Sequence, residues 1–374
     1  MQDILNELVA LTGQGKRGAL ASLVDSSGSV PMSERAKILI REDGGFSGTI
    51  GGGCLEAEIL SIGREVIKTG GSQNVEYTMT EKQAGENGLN CGGTVRIYTE
   101  SIDGQKDGDL FASVVDAKLQ RRKCVLITVI SSDGTLGQEK NRVLHYSDGQ
   151  RLGQFSFEGF EDRVSALADE VIESEKPTIV DVAGLDFAEL KPHKEGSKPN
   201  AELFFDPFVP PPLLYVFGGG HVGAQIGSLA KNAGFHVVIV DDRPLFASCE
   251  RHPTVDECVV AEVSDAFNRL QFDEQTYIVA ATRGHQHDEE VVECAIRTNV
   301  KYIGMLGSER KKLIMWDLIQ KRGGSRQRLD RVYAPIGFNI GADTPEEIAV
   351  SVVAELIEVR RGRTKEWKTK KMIK

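Results

Sequence analysis

The sequence predicts an α/β protein. An N-terminal α/β or α+β domain is followed by a C-terminal, Rossmann-like, doubly wound parallel sheet. Three observations predict this. Beyond residue 212, short apolar runs alternate with helical patterns, as in parallel sheets crossed by helices. A glycine turn, Gly218-x-Gly220-x-x-Gly223, joins the first of those runs to the first of those helices. A proline-rich stretch holding Pro192, Pro199, Pro207 and Pro210 to Pro212 separates this region from a less regular first half. The expected boundaries are therefore a cysteine-bearing N-terminal domain over 1–187, a proline-rich linker over 188–212 with room for a short strand at Glu202 to Phe205, and the Rossmann-like domain over 213–374.

In chain order, MQDILNELVALTG reads as an amphipathic helix. Asp3 and Glu7 distinguish it from a signal peptide, whose first residues are basic. GALASLVDSSG and AKILIREDGGFSGTIGGG read as strands with turns. Leu55, Ile59, Ile62 and Val66 fall at helical spacing, so CLEAEILSIGREVIKTG is one helix with a buried stripe. NVEYTMT, GTVRIYTE, KCVLITVI and NRVLHY read as strands, and a helix is expected from about Phe160 to Glu175. In the second half LLYVF, FHVVIVDD, YIVAAT and KYIGMLG are strands. Helices are expected from the glycine turn to Gly234, from about Asp288 to Asn299, over SERKKLIMWDLIQKRG, and at the end. In that last helix Thr344 suits an N-cap and Pro345 the first helical position.

Composition narrows the function classes. A chain of 374 residues with 40% hydrophobic and 27% charged residues fits a water-soluble globular protein of two or three domains. A net charge of −10 argues against bulk nucleic-acid binding, which needs a basic face. The tail RRGRTKEWKTKKMIK is basic and reads as a solvated terminus. No apolar run approaches the roughly 18 residues of a membrane span. The six cysteines form no C-x-x-C pair, so neither a zinc ribbon nor a disulfide framework is expected, and reduced thiols in a cytoplasm are.

Two groups of residues carry candidate chemistry. In the second half, the glycines permit a tight turn, a close approach of a pyrophosphate and close helix packing, and the helix N-terminus attracts the anion. Asp241, about 20 residues on, suits ribose hydroxyls, and Arg243 just beyond it complicates a choice between NAD and NADP. Arg283 suits a phosphate. His285 and His287 with Asp288 resemble a metal set but fall short of a defined one; Asp288 reads equally as an N-cap. Ser308 reads either as an anion contact or as a helix cap, and His221 stands at the head of the glycine-turn helix. In the first half, Cys54 follows Gly51, Gly52 and Gly53 at a helix start, where the dipole favours a thiolate. Cys91 is framed similarly by Gly92 and Gly93. Each alone reads as a small buried hydrophobe; together they read as a soft-ligand pair. Cys124, Cys249, Cys258 and Cys294 lack such framing and read as structural.

GTIGGGCLEAEI, NCGGTVRIYTE, YVFGGGHVG, VDDRP, TRGHQHDEEVV, YIGMLGSERK and IGADTPEEIAVSVVAELI, in this order, resemble the XdhC/CoxI family of accessory proteins for xanthine dehydrogenase and other molybdenum hydroxylases. The resemblance spans nearly the whole chain, apart from about residues 100–200. It implies binding and protection of molybdenum cofactor (molybdopterin or a dinucleotide form), support of its sulfuration, and transfer to the apo-hydroxylase. The partners it implies are that hydroxylase and a cysteine desulfurase, and a homodimer is expected as the commonest oligomer. Cys54 matches the cysteine of the family's G-G-G-C-L-E motif and Cys91 that of its C-G-G motif, with the molybdenum of the cofactor as their expected ligand. Gly218, Gly220 and Gly223 match its glycine turn. Two positions depart from the family pattern. Val30 precedes Pro31 with only Arg35 nearby, where the family has a Pro-Arg-rich segment, and Asn339 stands where an aspartate is usual.

The competing readings are an NAD(P)-dependent oxidoreductase using the second half, for which no proton donor with a partner is evident, and a zinc protein using Cys54, Cys91 and a histidine. The chain has no iron–sulfur cysteine spacing of the usual kind, so it is not expected to oxidise xanthine itself.

Overall fold

A computed structural model of the chain describes residues 2–30, 32–78, 93–132, 142–155, 161–183, 189–193 and 201–362. Cys91, Gly92 and most of the basic tail lie outside the described residues. The chain divides into two compact units, Met1–Pro210 and Pro211–Lys374.

The first unit is α+β, because all strand pairs in both its sheets are antiparallel. One sheet holds β1 (Arg17–Ser27), β2 (Lys37–Arg41), β3 (Phe46–Thr49), β4 (Ser72–Thr78) and β5 (Thr94–Asp103) in the order β3-β2-β1-β5-β4. The other holds β6 (Cys124–Ser132), β7 (Arg142–Tyr146), β8 (Arg151–Gly153), β9 (Thr178–Ala183), β10 (Glu189–Pro192) and β11 (Ala201–Phe208) in the order β10-β9-β11-β6-β7-β8. Alternation along β1 sorts the layers. Ala19, Ala21 and Leu23 meet Ile59, Ile62 and Val66 of α2 (Cys54–Thr69) on one face. Leu20 turns the other way, to α1 (Gln2–Gly13), α3 (Gly104–Leu119) and the second sheet. On the outer face of that sheet, Val125, Ile127, Leu203 and Phe205 pack against α4 (Glu161–Ser174).

Three ion pairs tie the two sheets of this unit together. Lys37 Nζ lies 2.9 Å from Asp206, and Arg96 Nη1 lies 2.7 Å from Glu202. Arg142 on β7 bonds Glu100 on β5 and Asp107 on α3. Burial lowers the Arg142 pKa, but the two carboxylates more than offset it, so the net direction is upward.

The expected linker over 188–212 needs correction, because it contains two strands of the second sheet, β10 and the interior strand β11, the latter buried along its whole length. Proline fails as a boundary marker here for a visible reason. Pairing of β11 with β9 ends at Phe205, so Pro207 faces a single neighbouring strand and its missing N–H leaves no ladder acceptor on a second one. Pro192 ends β10 at the sheet edge. The helix α3 falls in the stretch without a motif. Its Gly104 and Gly108 weaken the helical pattern, and Asp103 caps it by accepting from Gln105 N–H at 2.9 Å.

The second unit is a parallel, doubly wound sheet of β12 (Leu213–Phe217), β13 (His236–Asp241), β14 (Glu257–Val260), β15 (Thr276–Ala280), β16 (Tyr302–Met305) and β17 (Val332–Tyr333). The order β14-β13-β12-β15-β16-β17 is the 3-2-1-4-5-6 order of dinucleotide-binding folds. Leu213, Tyr215 and Phe217 face α6 (Val263–Arg269), α7 (His285–Ala295) and α8 (Glu309–Lys321); Leu214 and Val216 face α5 (His221–Asn232) and α10 (Pro345–Arg360). The short α9 spans Arg326–Leu329. Thr344 and Glu347 form a reciprocal capping box at the start of α10.

Candidate functional site

In the first unit, β3 runs through buried Ile50 into Gly51, Gly52 and Gly53, with φ of 86°, 78° and 72°. Three consecutive positive φ values require glycine, since a Cβ at each would be strained. The side chain of Glu56, in the first turn of α2, reaches back to accept from the Thr49 hydroxyl at 2.6 Å and from Ile50 N–H at 3.1 Å. Glu56 thus fixes the turn, a role visible in sequence only as an acid in a first helical turn. Cys54 is the first residue of α2 and is exposed. Gly53, the N-cap, supplies no side chain to the first N–H groups, so the positive end of the dipole lies at the thiol. Gly51 and Gly52 line an open cleft of about 510 Å³, together with Met32, Ser33, Arg35 and Lys37. Its two cations are engaged within the unit: Arg35 donates to the Glu175 carbonyl, and Lys37 pairs with Asp206.

In the second unit the glycines divide by what surrounds them. A Cβ on Gly218 would lie 2.2 Å from the Ala281 carbonyl oxygen, on Gly219 1.9 Å from that of Phe246, and on Gly223 1.8 Å from that of Gly218. These three exist because backbone meets backbone. Gly220 faces open space, caps α5 without a side chain, and precedes exposed His221. An anion can approach the first N–H groups of α5 at that point.

Asp241, buried at the end of β13, receives four hydrogen bonds. Gly219 N–H donates at 2.9 Å and Arg243 N–H at 3.1 Å, while Arg243 Nε and Nη2 donate at 2.8 and 2.9 Å. Two carboxylate oxygens offer about four lone-pair sites, so this carboxylate is saturated. Burial alone would raise its pKa; the Arg243 guanidinium and the Gly219 N–H more than reverse that and hold it below the usual range. The expected ribose contact therefore has no acceptor left. Arg243 also lies on the Phe246 ring, 3.6 Å from its centroid.

Gly218, Asp241 and Arg283 line one small cavity of about 20 Å³ at the carboxyl ends of the strands, beside Asp242, Thr282 and His287. Arg283 is half exposed and donates to Asp242 at 2.8 Å. His285 is the first residue of α7, whose N-cap is Gly284. Asp288 is therefore not the cap; it lies inside the helix, buried, accepting from Thr282 N–H at 2.9 Å and from Lys311 Nζ at 2.5 Å. That leaves it engaged as a pin between the loop at Thr282 and helix α8 rather than open to a metal with His287. Ser308 caps α8 by accepting from Lys311 N–H at 3.2 Å. Sequence reasoning missed Lys311 as the partner of Asp288.

The remaining cysteines differ among themselves. Cys124 is buried, and its thiol is pushed up to about 12 by burial and then by the charge of Asp206. Cys258 is also pushed up to about 12, first by burial and then by a hydrogen bond with Cys249. Cys249 is exposed, so these two form a neighbouring dithiol that their nine-residue separation did not suggest.

Comparison with known proteins agrees with both halves of this description. Residues 11–78 match the model of the XdhC and CoxI family, and residues 214–356 match that of the XdhC Rossmann domain; together the matches cover more than half of the chain. A probable xanthine dehydrogenase subunit of Bacillus subtilis (strain 168) is 25% identical over 361 residues, 95% of this chain and 96% of that protein. The molybdenum cofactor insertion chaperone PaoD of Escherichia coli (strain K12) is 22% identical over 363 residues, 96% of this chain and 88% of that protein. The uncharacterized protein YqeB of the same organism is 25% identical over 258 residues, but only 46% of its length is matched. A crystal structure of a xanthine dehydrogenase from Bacillus halodurans shares the fold, with a TM-score of 0.73, 23% identity and 96% of each chain covered. The chain belongs to the XdhC and CoxI family, and its second unit is that family's Rossmann domain.

Proposed function

We propose that the chain is an accessory protein in the maturation of a xanthine dehydrogenase-type molybdenum hydroxylase. It binds molybdenum cofactor, protects it, supports its sulfuration and delivers it to the apo-hydroxylase, with a cysteine desulfurase as sulfur source. The observation that carries this reading is Cys54, an exposed thiol at a helix N-terminus behind three positive-φ glycines, the first two of which line a cleft of about 510 Å³. Clefts of roughly 300–1,000 Å³ suit ligands of cofactor size. A soft thiolate suits molybdenum and sulfur better than a carboxylate does. The similarity to a molybdenum cofactor insertion chaperone over 88% of that protein's length supports the same reading.

The cofactor, when bound, supplies a soft metal centre and a phosphate. In this proposal Cys54 and Cys91 take the metal end. Gly51 to Gly53 keep the approach free of side chains. The α5 N-terminus at Gly220 and His221 is the anion-accepting feature of the second unit in this reading; Arg283, which lines a cavity with Gly218, and Ser308, the cap of α8, are further anion contacts in it. The saturation of Asp241 weighs against an NAD(P)-dependent oxidoreductase, since the fingerprint's ribose acceptor is fully engaged.

The test is co-expression of the wild-type chain and of the Cys54→Ala/Cys91→Ala double variant with a target hydroxylase. Molybdenum and pterin retained on the purified chain are measured alongside hydroxylase activation. Loss of both in the double variant is expected. Retention and activation equal to wild type would remove the cysteines from the function.

A further inference from the structure

Asp181, His193 and Glu202, in the first unit, sit in the part of the chain without a motif. Asp181 on β9 and Glu202 on β11 are direct cross-strand partners. Both are buried, at 5% exposure each. Like charges placed opposite one another destabilise a sheet, and buried carboxylates require a counter-charge. His193 follows β10, the strand on the other side of β9. Its Nδ1 lies 2.6 Å from Asp181 Oδ1 and 3.2 Å from Glu202 Oε1. One nitrogen and two oxygens, one from each residue, lie within 4.8 Å of one another. Arg96 Nη1 donates to the same Glu202 at 2.7 Å. Lys191, opposite Asp181 on β10, is exposed.

Within the buried group two facing carboxylates meet one guanidinium, and a cation held between His193 Nδ1 and the two carboxylates would offset the remaining like-charge repulsion. The donor set suits a metal. Imidazole with two carboxylates is a set used for zinc-type ions, at about 2.0–2.2 Å from each ligand. Ligands at that radius around a tetrahedral ion stand about 3.4 Å apart, so the 3.2 Å Nδ1–Oε1 gap is already near that spacing and the 2.6 Å gap must widen by under about 1 Å. A ligating carboxylate is ordinarily held by a hydrogen bond of its own, and Arg96 provides it. Among the described residues, Arg96 Nε and Nη2 are buried without an acceptor.

We propose that Asp181, His193 and Glu202 bind one divalent ion of the zinc class, at a site separate from Cys54 and from the glycine turn of the second unit. Binding exchanges the Nδ1 proton, when present, for the metal, and releases it to solvent.

The test uses the full chain, stripped with chelator, with thiols alkylated so that cysteines do not take zinc. Zn²⁺ is titrated into wild type, Asp181→Asn, Glu202→Gln and His193→Gln by calorimetry, with metal analysis after dialysis. One equivalent is expected in wild type, weakened at least about 100-fold in each variant. The two near-isosteric carboxylate variants keep the test valid if His193→Gln does not fold, and circular dichroism checks each. Equal zinc content in wild type and folded variants would overturn the proposal. So would a wild type that takes up no zinc.

Discussion

Two glycines of the same turn are expected to answer oppositely to the same substitution. In Gly223→Ala the new Cβ would lie 1.8 Å from the Gly218 carbonyl oxygen, whereas ordinary contact begins near 3.4 Å. Helix α5 or the turn must therefore retreat by about 1.6 Å, and the obstacle is backbone, which cannot rotate away. Overpacking of this kind costs about 1–3 kcal/mol. For a unit of this size each kcal/mol lowers the melting temperature by about 2–4 °C, so a drop of about 2–12 °C is expected. In Gly220→Ala no atom lies within 4 Å of the new Cβ, and φ is −70°, which alanine accepts. Only the N-cap preference is lost, about 0.5–1 kcal/mol, so the melting temperature should fall by no more than about 4 °C. If the N-terminus of α5 receives the phosphate end of a ligand, the same methyl stands in its path. Gly220→Ala should then retain at least about tenfold less molybdenum cofactor, a loss of about 1.4 kcal/mol. Scanning calorimetry and cofactor retention read the two effects separately. Equal melting temperatures for the two variants would refute the packing argument, and undiminished retention in a stable Gly220→Ala protein would refute the anion site.

Three other outcomes follow from the geometry. Arg142→Met leaves Glu100 and Asp107 buried without their cation, so denaturant melts should show about 3–5 kcal/mol of destabilisation of the first unit; a change below about 1 kcal/mol would mean that the triad is not buried as described. The Asp241 carboxyl is held below its usual range in the fold, so its stabilising effect is complete above the ordinary aspartate value of about 3.9 and fades as pH falls through the lowered one. Melts of the wild type should fall below about pH 4, and Asp241→Asn should be less stable at neutral pH with a shallower acid limb. Iodoacetamide at pH 8 should label exposed Cys54 and Cys249 well before Cys124 and Cys258, whose thiols are pushed up to about 12; peptide mass mapping gives the order.

The second unit was largely legible in the sequence because its parallel strands are buried on both faces and read as short apolar runs, with glycines where backbone meets backbone. Its strands β14 and β17 escaped notice, being four and two residues long. The first unit was harder. Its α2 stripe and central strands show periodicity, but prolines at Pro192 and Pro207 mark a sheet edge and a strand end, not a linker, and only the pairing register distinguishes these cases. Among candidate site residues, local signals placed Cys54 at a helix start and the glycines at a turn. What sequence does not carry is which partner a polar group finds. Asp241 read as a ribose acceptor until Arg243 was seen to close on it, Asp288 read as a cap until Gly284 was found in that place, and Asp181, His193 and Glu202 follow one another at intervals that match no ligand motif, so that only the pairing of β9, β10 and β11 brings them together.

The engagement of Asp241 bears on what this Rossmann domain can discriminate. A fold of this kind ordinarily tells one nucleotide from another by gripping the sugar next to the base. With Asp241 held by the chain's own arginine, a sugar at this edge of the sheet would have to turn to the neighbouring Asp242, which lines the same cavity.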